Sequence, residues 1–172
     1  MWTIRGIKYR TKLGVRRMLG NTIADELTFD NRILRSLPID ENMRSYPRQV
    51  SNAIFSYTRP QYVKNPVLVA YSPGALKLLG ISCDGIDDLS VQQEKELADF
   101  LSGNRLLVGA SPHAHCYCGY QFGIFAGQLG DGAAVSLGEV LVNSKEESEL
   151  SYILRRYELQ LKGGGITPFS RK

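Results

Sequence analysis

The sequence predicts an α+β fold in which an antiparallel sheet carries two or three helices. Apolar and polar residues alternate along residues 133–142 and again along residues 157–162, and a period of two is typical of half-buried strands. Two other stretches, after Ser72 and after Ser90, have the cap residues and apolar spacing of helices. We expect the two alternating runs to pair as a hairpin.

Composition and charge are those of a globular protein. The chain has 172 residues, of which 43% are hydrophobic and 22% are charged, enough for one domain with its own core. It has no run of 18 apolar residues, so we expect no membrane span. Six of the 21 basic residues fall within residues 1–20, which hold no acid, and the other 15 stand against 17 acidic residues. Beyond residue 20 the chain is nearly neutral, which argues against nucleic-acid binding.

The basic amino-terminal stretch, residues 1–24, is predicted to be a mitochondrial transit peptide or a disordered basic leader. Drawn as a helix, it gathers basic side chains on one face and apolar side chains on another, which is the acid-free pattern of organelle import signals. Three glycines weaken such a helix, and residues 1–20 contain no serine. The basic face would comprise Arg5, Lys8, Lys12 and Arg16.

Short elements are expected between this leader and the glycine-rich part of the chain. Apolar residues with partial helical spacing predict a helix within 29–37, which Pro38 ends. Alternation within 50–58 predicts a strand, and the apolar run over 67–71 predicts another.

Two further helices are predicted from their capping residues. Ser72, followed by proline, is a typical helix start, and Gly80 is a typical helix end. Ser90 and Gln93 have the spacing of a capping box, and the helix that they begin is expected to end at Gly103. We expect both helices to pack against the sheet as scaffold.

Glycines before the first alternating run and a lysine at the end of the second predict a polyphosphate site. A loop over Gly127–Gly132, with glycines at Gly127, Gly130 and Gly132, would let backbone N–H groups approach anionic oxygens, and Lys162 lies on the polar face of its strand. In the amino-terminal lobe of protein kinases, a glycine-rich loop likewise covers the phosphates and a strand lysine pairs with them, although the order of the glycines is reversed there. The alternative is an ordinary sheet with hairpin turns and a solvated lysine.

Seven blocks of residues stand out from Tyr46 onward. The blocks are Tyr46-Pro-Arg-Gln-Val50, Val63-Lys-Asn-Pro66, Phe100-Leu-Ser-Gly-Asn104, His115-Cys116, Gln121-Phe-Gly-x-Phe-Ala-Gly-Gln-Leu-Gly-Asp-Gly-Ala-Ala134, Leu137-Gly-Glu-Val140 and Gln160-Leu-Lys-Gly-Gly-Gly-Ile-Thr-Pro-Phe-Ser-Arg171. In residues and in order, these blocks resemble the selenoprotein O family. The resemblance implies a kinase-like fold, of which residues 25–172 are the amino-terminal part. It also implies transfer of AMP from ATP to Ser, Thr or Tyr hydroxyls of protein substrates.

The resemblance assigns four nucleotide-binding positions. Gly130 and Gly132 match the nucleotide loop of the family, and Lys162 matches its strand lysine. Ala133 stands where many members have an arginine that contacts the nucleotide, so here only its backbone would contribute. The catalytic Asp and the Mg²⁺ ligands are expected beyond residue 172, so no catalytic or metal-binding residue is assigned, and whether the chain is active alone stays open. The alternative is a non-catalytic truncated product that acts as a scaffold or binding module.

The stretch from His113 to Cys118 offers nitrogen and thiolate ligands for zinc. In a strand the two histidines share one face while Cys116 and Cys118 share the other, so four ligands cannot converge without a tight turn. We therefore expect His115 to be a hydrogen-bonding residue. Because the cysteines number three and no secretory signal is present, we also expect reduced thiols.

Overall fold

The computed structural model describes residues 3–10, 27–81, 89–145 and 152–171. Within these ranges the chain forms eight strands and three helices, which confirms the predicted α+β class. The strands are β1 (Thr3–Arg10), β2 (Thr28–Phe29), β3 (Ile39–Asp40), β4 (Phe55–Tyr57), β5 (His113–Gln121), β6 (Ile124–Gly130), β7 (Ala134–Lys145) and β8 (Tyr152–Lys162), and the helices are α1 (Arg32–Ser36), α2 (Pro73–Leu78) and α3 (Val91–Leu101).

The strands form one mixed sheet. Its main order is β1-β8-β7-β5-β4-β3, with β2 paired to β7 and β6 paired to β5. The pairs are antiparallel except for β3 with β4, which run parallel. The prediction of a purely antiparallel sheet is wrong at that pair, because the stretch 41–54 is long enough for a crossover connection.

The β7–β8 hairpin is the centre of the sheet and supplies much of the core. As predicted, the two strands run antiparallel, from the pair Ala134 and Lys162 to the pair Lys145 and Tyr152. One face of β8 buries its alternating apolar side chains, and α2 and α3 cover that face. The core includes Tyr157, Leu159 and Leu161 of β8, Val135 and Leu137 of β7, Leu76 of α2, and Leu97 and Phe100 of α3.

A β-bulge interrupts the predicted alternation of β7. Ser136 pairs with Gln160 and Gly138 pairs with Leu159, so Leu137 is the extra residue. Gly138 has a φ of 127°, which glycine adopts at little cost. The bulge changes the parity of the strand, so that Leu137 and Val140 are both fully buried although three positions separate them.

The two capped helices form as predicted. The Ser72 side chain accepts a hydrogen bond from the N–H of Ala75, with proline at the first helical position. Ser90 and Gln93 make both hydrogen bonds of a capping box, and Gly80 and Gly103 follow the helix ends with positive φ. In the described ranges, none of the helices combines the length and the apolar character needed to cross a membrane.

Two predicted elements differ from the structure. The helix within 29–37 is shorter, because Thr28–Phe29 pair with β7 as strand β2 before α1 begins. The strand expected over 67–71 does not form. Val67 and Val69 are 77% and 91% exposed, whereas Leu68 and Tyr71 pack against the core. Residues 67–71 thus bury side chains on one side only, and they do so in an irregular segment that pairs with no strand of the sheet.

Residues 3–10 form strand β1 along β8, so the helix drawn for the leader is wrong for these residues. The rest of the leader, residues 11–24, lies outside the described residues. The assignment of residues 1–24 to an import signal stays a prediction.

An ion pair between Asp40 and Arg48 joins the edge strand β3 to the connection that leads to β4. The two side chains are only 20% and 12% exposed. Ser56 Oγ donates to Asp40 Oδ2 at 2.7 Å, and Arg48 also donates to the carbonyl oxygen of Asn42 at 2.9 Å. Burial raises the pKa of Asp40, but the hydrogen bonds from Ser56 and Arg48 outweigh it and hold the pKa below the ordinary 3.8.

We expect Asp40→Asn to lower the free energy of unfolding by roughly 2 kcal/mol at neutral pH, because Arg48 would keep a mostly buried charge without its carboxylate. A lowered folded-state pKa contributes stability above the unfolded-state pKa and loses it as the pH falls through the folded-state value. In urea unfolding, the difference from the parent should be constant above about pH 5 and shrink below pH 3.8. Glu41→Gln, at an exposed neighbouring acid, is the control. Equal stability of parent and Asp40→Asn at neutral pH would contradict this account.

Candidate functional site

One end of the β7–β8 hairpin brings the turn after β6 next to the last residue of β8. Ala134 opens β7 and pairs directly with Lys162. The carbonyl oxygen of Ala133 accepts hydrogen bonds from the N–H groups of Gly163 at 2.8 Å and Gly164 at 2.9 Å. We call residues 130–133 and 162–164 the hairpin corner. It contains all four predicted nucleotide-binding positions, which are Gly130, Gly132, Ala133 and Lys162.

Hydrogen-bond donors are available at the hairpin corner. Lys162 is exposed and lies on the polar face of β8, and Ala133 is exposed as well. Within the described part of the chain, the backbone N–H groups of Gly132 and Ala133 donate no hydrogen bond, whereas that of Asp131 donates to His115 at 2.9 Å. Two backbone donors and an ammonium group are the kind of donors that bind anionic oxygens.

The segment 167–170 packs onto the turn and fixes its backbone. Thr167 Oγ1 donates to the carbonyl oxygen of Asp131 at 2.5 Å, and Ser170 Oγ donates to that of Gly132. The N–H of Thr167 in turn donates to Ser170 Oγ at 2.9 Å. Thr167 and Phe169 are both buried. The free N–H groups of the turn are therefore held by contacts from a segment more than thirty residues away.

Packing by itself requires glycine at position 130. A Cβ on Gly130 would lie 2.5 Å from Cγ of Phe169 and closer still to the carbonyl oxygen of His115. At Gly132 the nearest atoms would be at an ordinary 3.4 Å. Gly130 thus has a structural reason to lack a side chain, whether or not a ligand approaches it.

The glycine-rich stretch predicted as a loop over 127–132 is strand as far as Gly130. It pairs with β5, where Gln128 lies opposite Cys118. Only residues 131–133 form the turn into β7. The other turn of this region is the tight connection from β5 to β6 at Phe122 and Gly123, where φ is 55° and 78°. An aromatic residue with positive φ before a glycine is not a common turn signal, so the sequence pattern did not locate it.

The polar face of β8 also carries a partly buried cluster of polar side chains that joins three strands. Glu158 Oε1 accepts hydrogen bonds from Ser136 Oγ at 2.6 Å and His115 Nε2 at 2.5 Å, and it lies 3.8 Å from His113 Nε2. The two imidazole rings stack with their centroids 5.3 Å apart. The prediction that His115 is a hydrogen-bonding residue is confirmed. Its partner was not predicted, because 43 positions separate the two residues.

The pKa values of Glu158 and His113 are both lowered, which favours the charged form of the carboxyl group and the neutral form of the imidazole. Burial raises the pKa of Glu158, but hydrogen bonds from His115 and Ser136, with the nearby imidazoles, lower it to about 2. The pKa of His113 falls to about 4, mainly because the ring is buried. At neutral pH Glu158 is therefore a carboxylate and His113 a neutral ring.

The cysteines stand apart from this cluster. Cys116 and Cys118 are free thiols, as predicted, and burial raises the pKa of Cys116. Cys83 lies outside the described residues. Among the described residues, the group able to hold a metal ion consists of His113, His115 and Glu158, and no thiol belongs to it. The predicted separation of nitrogen and thiolate ligands along β5 is consistent with this grouping.

Comparison with known proteins assigns the family. The family described as protein adenylyltransferase SelO matches residues 43–172. This chain belongs to that family. The resemblance drawn from the sequence blocks is thereby confirmed.

SelO relatives occur in animals and bacteria. The Mus musculus protein named "Protein adenylyltransferase SelO, mitochondrial" is 50% identical over 152 residues, which cover 85% of this chain and 21% of the relative. The Danio rerio "Protein adenylyltransferase SelO-1, mitochondrial" is 43% identical over 159 residues, covering 90% and 22%. The Tolumonas auensis "Protein nucleotidyltransferase YdiU" is 47% identical over 146 residues, covering 85% and 25%. The chain thus spans between about a fifth and a quarter of the length of these relatives.

In this SelO-family chain we expect Gly130→Ala to lower the free energy of unfolding by about 2 kcal/mol, because the new methyl group would overlap backbone and a packed ring. Gly119→Ala is the matched control, since a Cβ there meets nothing within 4 Å. Urea unfolding followed by circular dichroism measures both changes. If the two substitutions had equal effects, the packing explanation for Gly130 would be wrong.

Proposed function

We propose that this chain forms the nucleotide-binding part of a protein adenylyltransferase, with a kinase-like amino-terminal lobe and ATP as the ligand. The observation that carries the proposal is the register of the central hairpin, which pairs Ala134 with Lys162 and so sets a lysine beside a turn with free N–H groups. The relatives named protein adenylyltransferase and protein nucleotidyltransferase supply the class of reaction.

The hairpin corner has the chemistry to bind phosphate oxygens. Neighbouring strands lie about 4.8 Å apart, so a phosphate group above Ala134 and Lys162 is within reach of both strands. The Lys162 ammonium would neutralise phosphate charge, while Gly132 and Ala133 would donate backbone hydrogen bonds. Because Thr167 and Ser170 already hold the turn, the donors need little reorganisation on binding.

The reaction that we propose for the complete enzyme is transfer of AMP to a protein hydroxyl. The oxygen of a Ser, Thr or Tyr side chain attacks the α-phosphorus of ATP, the bond from that phosphorus to the β-bridging oxygen breaks, and pyrophosphate leaves. The hydroxyl proton is released in the same reaction. Lys162 contributes by holding the charged phosphates in place. Mg²⁺ would add further positive charge, and neither its ligands nor the catalytic Asp is assigned to a residue of this chain.

We expect ATP, supplied with Mg²⁺, to bind the 172-residue chain and Lys162→Ala to weaken that binding by roughly tenfold to a hundredfold, because a hydrogen bond to a charged group contributes about 1.5–3 kcal/mol. Isothermal titration calorimetry measures the affinity directly. Lys95→Ala, at an exposed lysine of α3, is the matched control and should bind like the parent. A folded parent chain that does not bind ATP, or equal losses in both variants, would contradict the proposal.

We also infer that the protein acts in mitochondria. The mouse and zebrafish relatives carry that location in their names, and residues 1–20 of this chain hold six basic and no acidic side chains. We expect a fluorescent reporter fused after residue 24 to enter mitochondria, and the same fusion with Arg5, Lys8 and Arg16 changed to Glu to stay in the cytosol. A parent fusion that stays cytosolic would exclude this location signal.

A further inference from the structure

The polar cluster on β5 and β8 contains a buried nitrogen that has no hydrogen-bond partner. His113 is 0% exposed, and among the described residues its Nε2 makes no hydrogen bond. Its Nδ1 lies 2.8 Å from the carbonyl oxygen of Ser111, which can only accept, so Nδ1 carries the proton and Nε2 carries a lone pair. The carboxylate oxygen Oε1 of Glu158, 3.8 Å from Nε2, is also an acceptor. Burying such an unpaired acceptor is unfavourable, and a cation between the two acceptors would remove that cost.

Three ligand atoms converge at this position. One nitrogen from His113, one nitrogen from His115 and one oxygen from Glu158 all lie within 4.8 Å of one another. Around a tetrahedral zinc ion, with ligand distances of about 2.0–2.2 Å, neighbouring ligand atoms are roughly 3.4 Å apart. His113 Nε2 is 3.8 Å from Glu158 Oε1, close to this spacing, whereas His115 Nε2 and Glu158 Oε1, at 2.5 Å, would have to move apart by about 1 Å to admit an ion.

Groups around the cluster are suited to orient these ligands. The carbonyl oxygen of Ser111 fixes the tautomer of His113, which is the usual arrangement behind a metal-bound imidazole. Ser136 Oγ, 2.6 Å from Glu158 Oε1, orients the carboxylate. His115 Nε2 now donates to the carboxylate, so it would release its proton to solvent when it binds the ion.

We propose that His113, His115 and Glu158 form a binding site for a divalent transition-metal ion, with Zn²⁺ the best match. Two imidazole nitrogens and one carboxylate oxygen are ligands that Zn²⁺ takes in proteins, and the fourth position would be left to water or Ser136. Fe²⁺ uses similar ligands but binds a given site of this kind more weakly. Mg²⁺ and Ca²⁺ prefer oxygen ligands only, so this site differs in chemistry from one that holds Mg²⁺ with ATP.

The proposed ion would brace the sheet rather than contact a nucleotide. Its ligands come from β5 and β8, which lie on either side of β7, so the ion would link these two strands across β7. Glu158 and Lys162 lie on the same face of β8, four residues apart, which is about 13 Å along a strand. The proposal therefore does not depend on ATP binding at the hairpin corner.

The test is a Zn²⁺ titration of the full chain after treatment with a chelator, followed by NMR of the imidazole nitrogens. The chain has only two histidines, so every imidazole signal reports on this cluster. We expect one equivalent of Zn²⁺ to shift the signals of both rings, and Fe²⁺ under anaerobic conditions to bind more weakly. Shifts in neither ring, or in only one, would overturn the proposed ligand set.

Calorimetry of matched variants identifies the ligands. We expect His115→Gln and Glu158→Gln each to weaken Zn²⁺ binding at least about tenfold. Glu96→Gln, at a buried glutamate of α3, and Cys118→Ser, at the exposed thiol, should bind like the parent. Unchanged affinity in folded His115→Gln and Glu158→Gln, or loss of binding in Cys118→Ser, would overturn the proposal. If either ligand variant failed to fold, the imidazole spectra of the parent chain would still decide.

Discussion

The antiparallel pairing of β7 with β8 is the constraint on which the rest of the structure depends. Strands β1, β2 and β5 all pair with one of these two strands, and the main core is built on their apolar face. The same register sets Lys162 opposite Ala134 and thereby defines the hairpin corner. A slip of one residue would exchange the two faces of β8, exposing Leu159 and burying Lys162, so the core and the proposed site are specified together.

On the polar face of the hairpin, the mostly buried carboxylate of Glu158 holds side chains from two neighbouring strands. Glu158 is held as a carboxylate by Ser136 and His115, and it stands beside the neutral ring of His113. Between this cluster and the hairpin corner, Gln160 Nε2 donates to Asp131 Oδ2 at 3.0 Å. The N–H of His115 donates to the same Asp131 oxygen at 3.2 Å, and Asp131 belongs to the turn that Thr167 fixes, so polar contacts run continuously from the cluster to that turn. The position of the donors is thus determined by a network and not by the glycines alone.

The sequence predicted correctly the features that depend on residues close together in the chain. The alternation of residues 157–162 and the capping box at Ser90 depend on neighbours in sequence, and the structure has both. The bulge at Leu137, the unpaired segment 67–71 and the contact of Gly130 with Phe169 depend on distant residues, and the sequence pattern showed none of them. For the site, glycine chemistry and the resemblance identified the corner positions, whereas the pairing of Glu158 with His115 arises only when β5 folds beside the hairpin.

The central claim is that the hairpin corner is where this chain binds a nucleotide. An ATP titration of the ¹⁵N-labelled chain, followed through its amide signals, tests that claim most directly because it locates the ligand without any substitution. The account predicts that the largest changes fall on the amides of Gly132, Ala133, Lys162 and Gly163. Changes concentrated elsewhere, for example along the segment 63–68 beside α3, or a well-dispersed spectrum that ATP leaves unchanged, would contradict it.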